Sequence, residues 1–255
     1  HTASMAGNYQ GAIALLNKLG ISTVDGLESL LNTLMILHVH QPISGNKIAS
    51  LSCSGGEASL IADLAEQFNF RFPKLSSKQK RKLKSALGDL VHLSNPLDYQ
   101  TYVWNDQVKL TVAFKTMMEE TYDFLFIIMD LPKQGRCSSD SWHPAIVALK
   151  EAKKIAKCPV GLITSLEENM PEKFAKDLIK HSIIPLTGLE NSLAAVKALQ
   201  NVSIQWKIKS TPSIIWERWP NEKSRVLDEY QSKKVLSKIG INVPKGFVIT
   251  DKNSL

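Results

Sequence analysis

Apolar residues recur along this chain in two rhythms. Within residues 10–19 they fall at positions 12, 13, 15, 16 and 19, the spacing of one helix face, and Gly20 follows as a stop signal. A second amphipathic segment runs from Val24 or Asp25 to about Leu37, and Gln41-Pro42-Ile43-Ser44-Gly45-Asn46 then breaks the pattern as a linker does. From Lys47 the rhythm changes. Residues 47–52 have the β-branched and small character of a buried strand, and from Glu57 helical spacing returns through Leu60, Ile61, Leu64, Ala65 and Phe68. The near-continuous apolar runs at 123–130 and 159–164 suit strands buried on both faces of a parallel sheet, with an amphipathic helix over 142–157 between them.

From residue 47 to about 202 the order reads strand, helix, helix, an Asn95-Pro96-Leu97-Asp98 turn, helix, strand, helix, strand, helix, short strand, helix. This predicts an open, doubly wound α/β domain of flavodoxin-like type, with ligands beyond the carboxyl ends of its strands. Beyond Val202 the periodicity lapses into a connector with Trp206, Trp216 and Trp219. A helix over 227–239, ended by Gly240, and a strand beginning at 247 are then expected.

Composition narrows the function classes. With 44% apolar and 22% charged residues, the 255-residue chain reads as a globular protein. No apolar run has membrane-spanning length and no secretory signal is seen, so cytoplasmic is the expected location, without a membrane partner. Cys53, Cys137 and Cys158 lie far apart in no metal-binding pattern and read as free thiols. The net charge of +7 sits largely in helical patterns such as 74–84 and 150–157, with no aromatic residues interleaved to stack bases. It describes a basic soluble surface and does not call for nucleic acid.

Candidate chemistry begins at Ser54-Gly55-Gly56, where a strand feeds a helix. Gly55 and Gly56 can take backbone angles closed to other residues, and the first free N–H groups of the helix point into the turn and make a pocket for an anion such as phosphate. A plain tight connection is the structural alternative. Glu57 sits where a carboxylate caps a helix N-terminus, and Cys53 reads as a small residue at a strand end. Tyr99, Tyr102 and Trp104 follow the Asn-Pro turn as packing aromatics or acyl-pocket walls. Arg136 lies in a loop, and His92, His143 and His181 show no ligand spacing.

Four motifs in order give the chain a family likeness. His1-Thr2-Ala3-Ser4-Met5-Ala6-Gly7 resembles a His-Thr-Gly-Ser-Leu-Ala-Gly motif, departing at Ala3 and Met5. Residues 48–56 with Asn95-Pro96-Leu97-Asp98 resemble a flavodoxin-like ligase module. The segment Val24-Asp25-Gly26-Leu27-Glu28-Ser29-Leu30 is similar to the close of an α-type ligase domain, and residues 227–248 resemble the lead-in to an ATP-grasp domain. Together these resemble the NDP-forming acyl-CoA synthetases, relatives of succinyl-CoA synthetase.

The resemblance implies three regions: 1–41, the helical end of an α-type CoA-ligase domain with the histidine motif; 42–204, the flavodoxin-like domain; and 205–255, a connector and the start of an ATP-grasp domain. It implies an acid-thiol ligase, incomplete in this chain, with His1 as the catalytic phosphoryl carrier. Ser54, Gly55 and Gly56 would bind phosphate, and Asn95 and Asp98 would border the substrate. CoA and ATP or GTP with Mg2+ would be bound mostly outside this segment, no metal would be held within it, and the partners would be a small carboxylic acid or acyl-CoA, a nucleotide and another copy in a homo-oligomer. Two other readings share the architecture: the ligase-like sensor part of a protein lysine acetyltransferase, and a non-enzymatic scaffold.

Overall fold

The computed structural model describes residues 8–133, 135–208 and 226–249. The polypeptide divides into two units, His1–Pro212 and Ser213–Leu255. The first unit begins with α1 (Tyr9–Lys18) and α2 (Leu27–Val39). Asn8 caps α1 by accepting the Gly11 N–H at 3.0 Å, and Gly20, at φ 72°, turns the chain out of it, as the left-handed region requires of a residue without a β-carbon.

Five strands follow: β1 (Ile48–Ser52), β2 (Leu97–Asp98), β3 (Phe124–Ile128), β4 (Val160–Thr164) and β5 (Ile184–Thr187). They form one parallel sheet in the order β2-β1-β3-β4-β5, with Leu51 opposite Leu97, Ala49 opposite Leu125, and Leu125 opposite Val160. This is the doubly wound, flavodoxin-like order expected from the sequence. The strand β2 was not expected. What reads as a turn at Asn95-Pro96-Leu97-Asp98 leads directly into a two-residue edge strand, too short to show periodicity.

The strands are buried on both faces because helices cover both. Side chains alternate: Phe124, Phe126 and Ile128 point into one core with Ile36, Ile61, Val196 and Leu199, whereas Leu125 and Ile127 join Leu110, Phe114, Ala148 and Leu149 in the other. The helices concerned are α3 (Gly55–Gln67) and α8 (Leu189–Trp206) with α2 on the first side, and α4 (Ser77–Leu87), α5 (Gln107–Met118) and α6 (His143–Lys153) on the second. A seventh helix in this arrangement, α7 (Glu172–Lys180), leads into β5. Gly161 interrupts β4 for a steric reason: a β-carbon there would lie 2.8 Å from both the Phe124 ring and Leu186.

Helix α2 docks on α8 and β5 through the fully buried Ile36 and two polar side chains. Asn32 donates to the Thr187 carbonyl at 2.8 Å and accepts the Thr187 N–H at 3.3 Å, and the Ser29 hydroxyl donates to Asn191 at 2.9 Å. Leu27, Leu30, Leu31, Leu34 and Leu37 are exposed instead.

Within the second unit the described residues form one helix, α9 (Glu229–Lys238), capped by Asp228, which accepts the Gln231 N–H at 2.7 Å, and followed by Gly240 at φ 86°. The strand expected from 247 is not formed by residues 247–249. The histidine motif at 1–7 and the connector residues 209–225, with Trp216 and Trp219, lie outside the described residues. No described helix is long and apolar enough to cross a membrane.

Candidate functional site

The carboxyl ends of β1, β2 and β3 converge on the start of α3. Ser52, buried at the end of β1, donates its hydroxyl to the Ser54 carbonyl at 3.0 Å and so fixes the turn. The first helical bond of α3 runs from the Ala58 N–H to the Ser54 carbonyl at 3.1 Å. The N–H groups of Gly55, Gly56 and Glu57 therefore precede the helical ladder, and the Ser54 side chain caps none of them. Gly55 and Gly56 are exposed. The turn presents free donors at the positive end of a 13-residue helix.

The glycines serve here by what they lack. Neither has positive φ, so the backbone freedom open to glycine at such a junction is not used: both are already part of α3. A β-carbon on Gly55 would lie 3.3 Å from Asp98 Oδ2, and one on Gly56 would meet Ser54 Oγ at 3.5 Å. Absent side chains keep the helix end open beside Asp98.

Asp98 is tied down by its neighbour: Oδ1 accepts the Gln100 N–H at 2.9 Å, and Oδ2 accepts from the Gln100 side chain at 2.6 Å. Asn95, grouped with it by the sequence motif, faces the other way. Its Oδ1 accepts the Ser50 N–H at 3.2 Å, and its Nδ2 donates to the carbonyls of Ile48 at 3.1 Å and Pro73 at 3.2 Å. The Asn95 amide thus supplies a missing rung along β1 just before β2 begins. The structure brings Ser54, Gly55, Gly56 and Asp98 together and gives Asn95 a place in the scaffold beneath them; His1 lies outside the described residues.

Beside the turn opens a cleft of about 370 Å³, walled by Cys53, Glu57, Trp104, Met129, Asp130 and Trp142. Glu57 does not cap α3 as expected. Its Oε2 is buried without a hydrogen-bond partner, and burial, then Asp130 and Asp98, push its carboxyl up to about 7. Asp130 is fixed by accepting the Ser165 N–H at 2.6 Å. The half-buried Cys53 thiol is pushed up to about 11, chiefly by burial and then by Glu57, so it is a neutral wall group and not a nucleophile.

Trp104 and Trp142 meet edge to face, 5.9 Å between centroids at 90°. Behind Trp104 lies Tyr99, fully buried, stacked on it at 6.5 Å and 9°, with a hydroxyl that finds no partner. Tyr102 is exposed and donates to the Leu87 carbonyl at 2.8 Å. Of the three aromatics after the Asn-Pro turn, Trp104 forms the wall. Sequence reasoning passed over Trp142 as a residue opening the 142–157 helix, and over Asp130 as the flank of a strand. The signal available for both was position, since each ends or follows an element on the carboxyl side of the sheet. Arg136, His92, His143 and His181 are exposed and none lines the cleft. Among the described residues no group of three His, Cys, Asp or Glu side chains is disposed to hold a metal ion.

The chain has relatives of known name. A trans-feruloyl-CoA synthase from an unidentified prokaryote is 23% identical over 244 residues, 96% of this chain and 34% of that protein. The ADP-forming acetate–CoA ligase of Methanocaldococcus jannaschii is 25% identical over 268 residues, 99% of this chain and 37% of that protein. Subunit alpha of the ADP-forming acetate–CoA ligase II of Pyrococcus furiosus is 25% identical over 197 residues, 76% of this chain and 42% of that protein. No protein-family model matches.

Among solved structures, a protein of Pyrococcus horikoshii OT3 superposes with a TM-score of 0.63 at 22% identity, over 80% of this chain and 46% of that one. The dinucleotide-forming acetyl-coenzyme A synthetase 1 of Candidatus Korarchaeum cryptofilum, in complex with phosphate and ADP, superposes at 0.61 and 17% identity, over 80% and 43%. The chain thus spans between about a third and just under half the length of each of these relatives. It is a homologue of the ADP-forming acid–CoA ligases, the NDP-forming acyl-CoA synthetases, and corresponds to one segment of them.

Proposed function

We propose that this chain is the phosphoryl-handling segment of an acid-thiol ligase that converts a carboxylic acid, CoA and a nucleoside triphosphate into an acyl-CoA, a nucleoside diphosphate and phosphate. The observation that carries the reading is the uncapped, exposed start of α3 at Ser54-Gly55-Gly56, set at the carboxyl edge of a parallel sheet. The named relatives support it by homology.

In this reading the nucleotide's γ-phosphoryl passes to an imidazole nitrogen of His1, forming an N–P bond as the P–O bond to the diphosphate breaks. The carboxylate of the acid then takes the phosphoryl, giving an acyl phosphate and restoring the imidazole. The thiolate of CoA attacks the acyl carbon, the C–O bond breaks and phosphate leaves. The free N–H groups of Gly55 and Gly56 neutralise charge on the phosphoryl oxygens, a positioning and electrostatic role. Glu57, half-protonated near neutrality, takes up a proton as the anion arrives, so its charge does not oppose binding there. CoA, the nucleotide and Mg2+ are held mainly by parts of the complete protein beyond this segment. No described residue is assigned to the metal.

The test uses the complete protein with labelled nucleotide, CoA and a panel of acids. Acyl-CoA formation, with acid-labile label on the protein that vanishes in His1→Ala, is the expected result. No label and no acyl-CoA with any acid would favour a sensor or a scaffold.

A further inference from the structure

The relatives' names divide over the acid, acetate in some and ferulate in another, and the cleft beside α3 bears on that choice. At about 370 Å³ it falls within the size range of small-molecule pockets, far beyond what the methyl group of acetate fills. Cys53 and Glu57 flank the Ser54-Gly55-Gly56 turn and also line the cleft, so the cleft opens beside the free N–H groups of α3. Its apolar walls include the Trp104 and Trp142 indoles at right angles, and Met129. An aromatic ring lying against one indole face meets the other at its edge, the two preferred geometries of ring pairs. Trp104 is held for this by Tyr99, whose ring lies parallel to it and packs edge-on against Phe114 at 5.3 Å.

The polar groups are just as selective. Asp130 and Asn105 supply oxygen acceptors, the Glu57 Oε2 has no partner, and among the described residues no lysine, arginine or histidine lines the cleft. Such a lining repels a second carboxylate on the ligand and welcomes a hydroxyl donor.

Resting on the ligase reading above, we infer that the cleft between Trp104, Trp142 and Asp130 is the acyl-tail subsite, and that it takes an aryl carboxylic acid bearing a ring hydroxyl. The carboxylate lies toward the α3 turn, the ring against the indoles, and the hydroxyl donates to an acceptor of the lining. Dicarboxylic acids are excluded by charge, and acetate leaves the cleft unfilled.

The test pairs turnover with binding in the complete protein. Acyl-CoA formation is measured with 4-hydroxycinnamic acid, hexanoic acid and acetate, and 4-hydroxycinnamic acid is titrated against tryptophan fluorescence in the wild type, Trp104→Leu and Trp142→Leu, with circular dichroism to confirm folding. The expected results are a kcat/KM for the aryl acid at least tenfold above that for acetate, saturable quenching, and a tenfold or greater loss of aryl-acid affinity in either folded variant. Turnover of acetate or hexanoate with neither turnover nor quenching by the aryl acid would overturn this inference and leave the ligase reading standing. Quenching that needs both indoles, without acyl-CoA from any acid, would sink the ligase reading and keep the aryl site. Quenching unchanged in both variants would place the aryl acid elsewhere and overturn the inference.

Discussion

Glu57 and Asp130, carried by α3 and the end of β3, line one cleft, and the charge of Asp130 is second only to burial in holding the Glu57 carboxyl at about 7. Between about 4.5, where an unperturbed glutamate ionises, and about 7, the folded protein keeps a proton that the unfolded chain releases. The associated stability is complete below the lower value and is lost as pH rises through the upper one. Glu57→Gln abolishes this dependence. Urea unfolding from pH 4.5 to 8 should show wild type losing about 1 kcal/mol relative to the variant, a figure kept small because the side chain is only half-buried and water screens it. A difference independent of pH would remove Glu57 from the account.

Asn95 makes three hydrogen bonds to backbone groups of β1 and the segment before α4. Asn95→Ala leaves the Ser50 N–H and two carbonyls without those partners, at a cost of about 1–3 kcal/mol. Urea denaturation measures it. A loss of catalysis with full stability would instead mean that the amide contacts substrate.

The three thiols should separate by reactivity. Cys53 and Cys158 are both pushed up to about 11, chiefly by burial, whereas Cys137 is exposed. At pH 8 a thiol reagent should titrate one cysteine of the folded protein quickly, and Cys137→Ser should abolish that phase. Fast modification of Cys53 would contradict the closed wall described for the cleft.

The sheet was legible in the sequence because its central strands are covered on both faces: β3 and β4 read as near-continuous apolar runs and β1 as a β-branched and small one. Strand β2 was not, since two residues carry no period. The strand-to-helix turn at Ser54-Gly55-Gly56 was legible, but its glycines are helical, and what keeps it open is the missing β-carbon beside Asp98. The cleft was hardly legible at all. Glu57, Trp104, Asp130 and Trp142 come from the ends of three separate strands, the last two from the one connection after β3, and only the right-handed winding of the parallel sheet brings these ends to one edge. Helix α2 shows the limit of periodicity most plainly, because its polar Ser29 and Asn32 face inward while its leucines do not.

The central claim is that the start of α3 receives a phosphate. Glycine-selective 15N labelling of the complete protein, titrated with inorganic phosphate, addresses it most directly through the amide resonances of Gly55 and Gly56. The account predicts saturable shifts at these two positions, with Gly88 and Gly161 unmoved. Shifts at Gly55 and Gly56 no larger than those at Gly88 would contradict it.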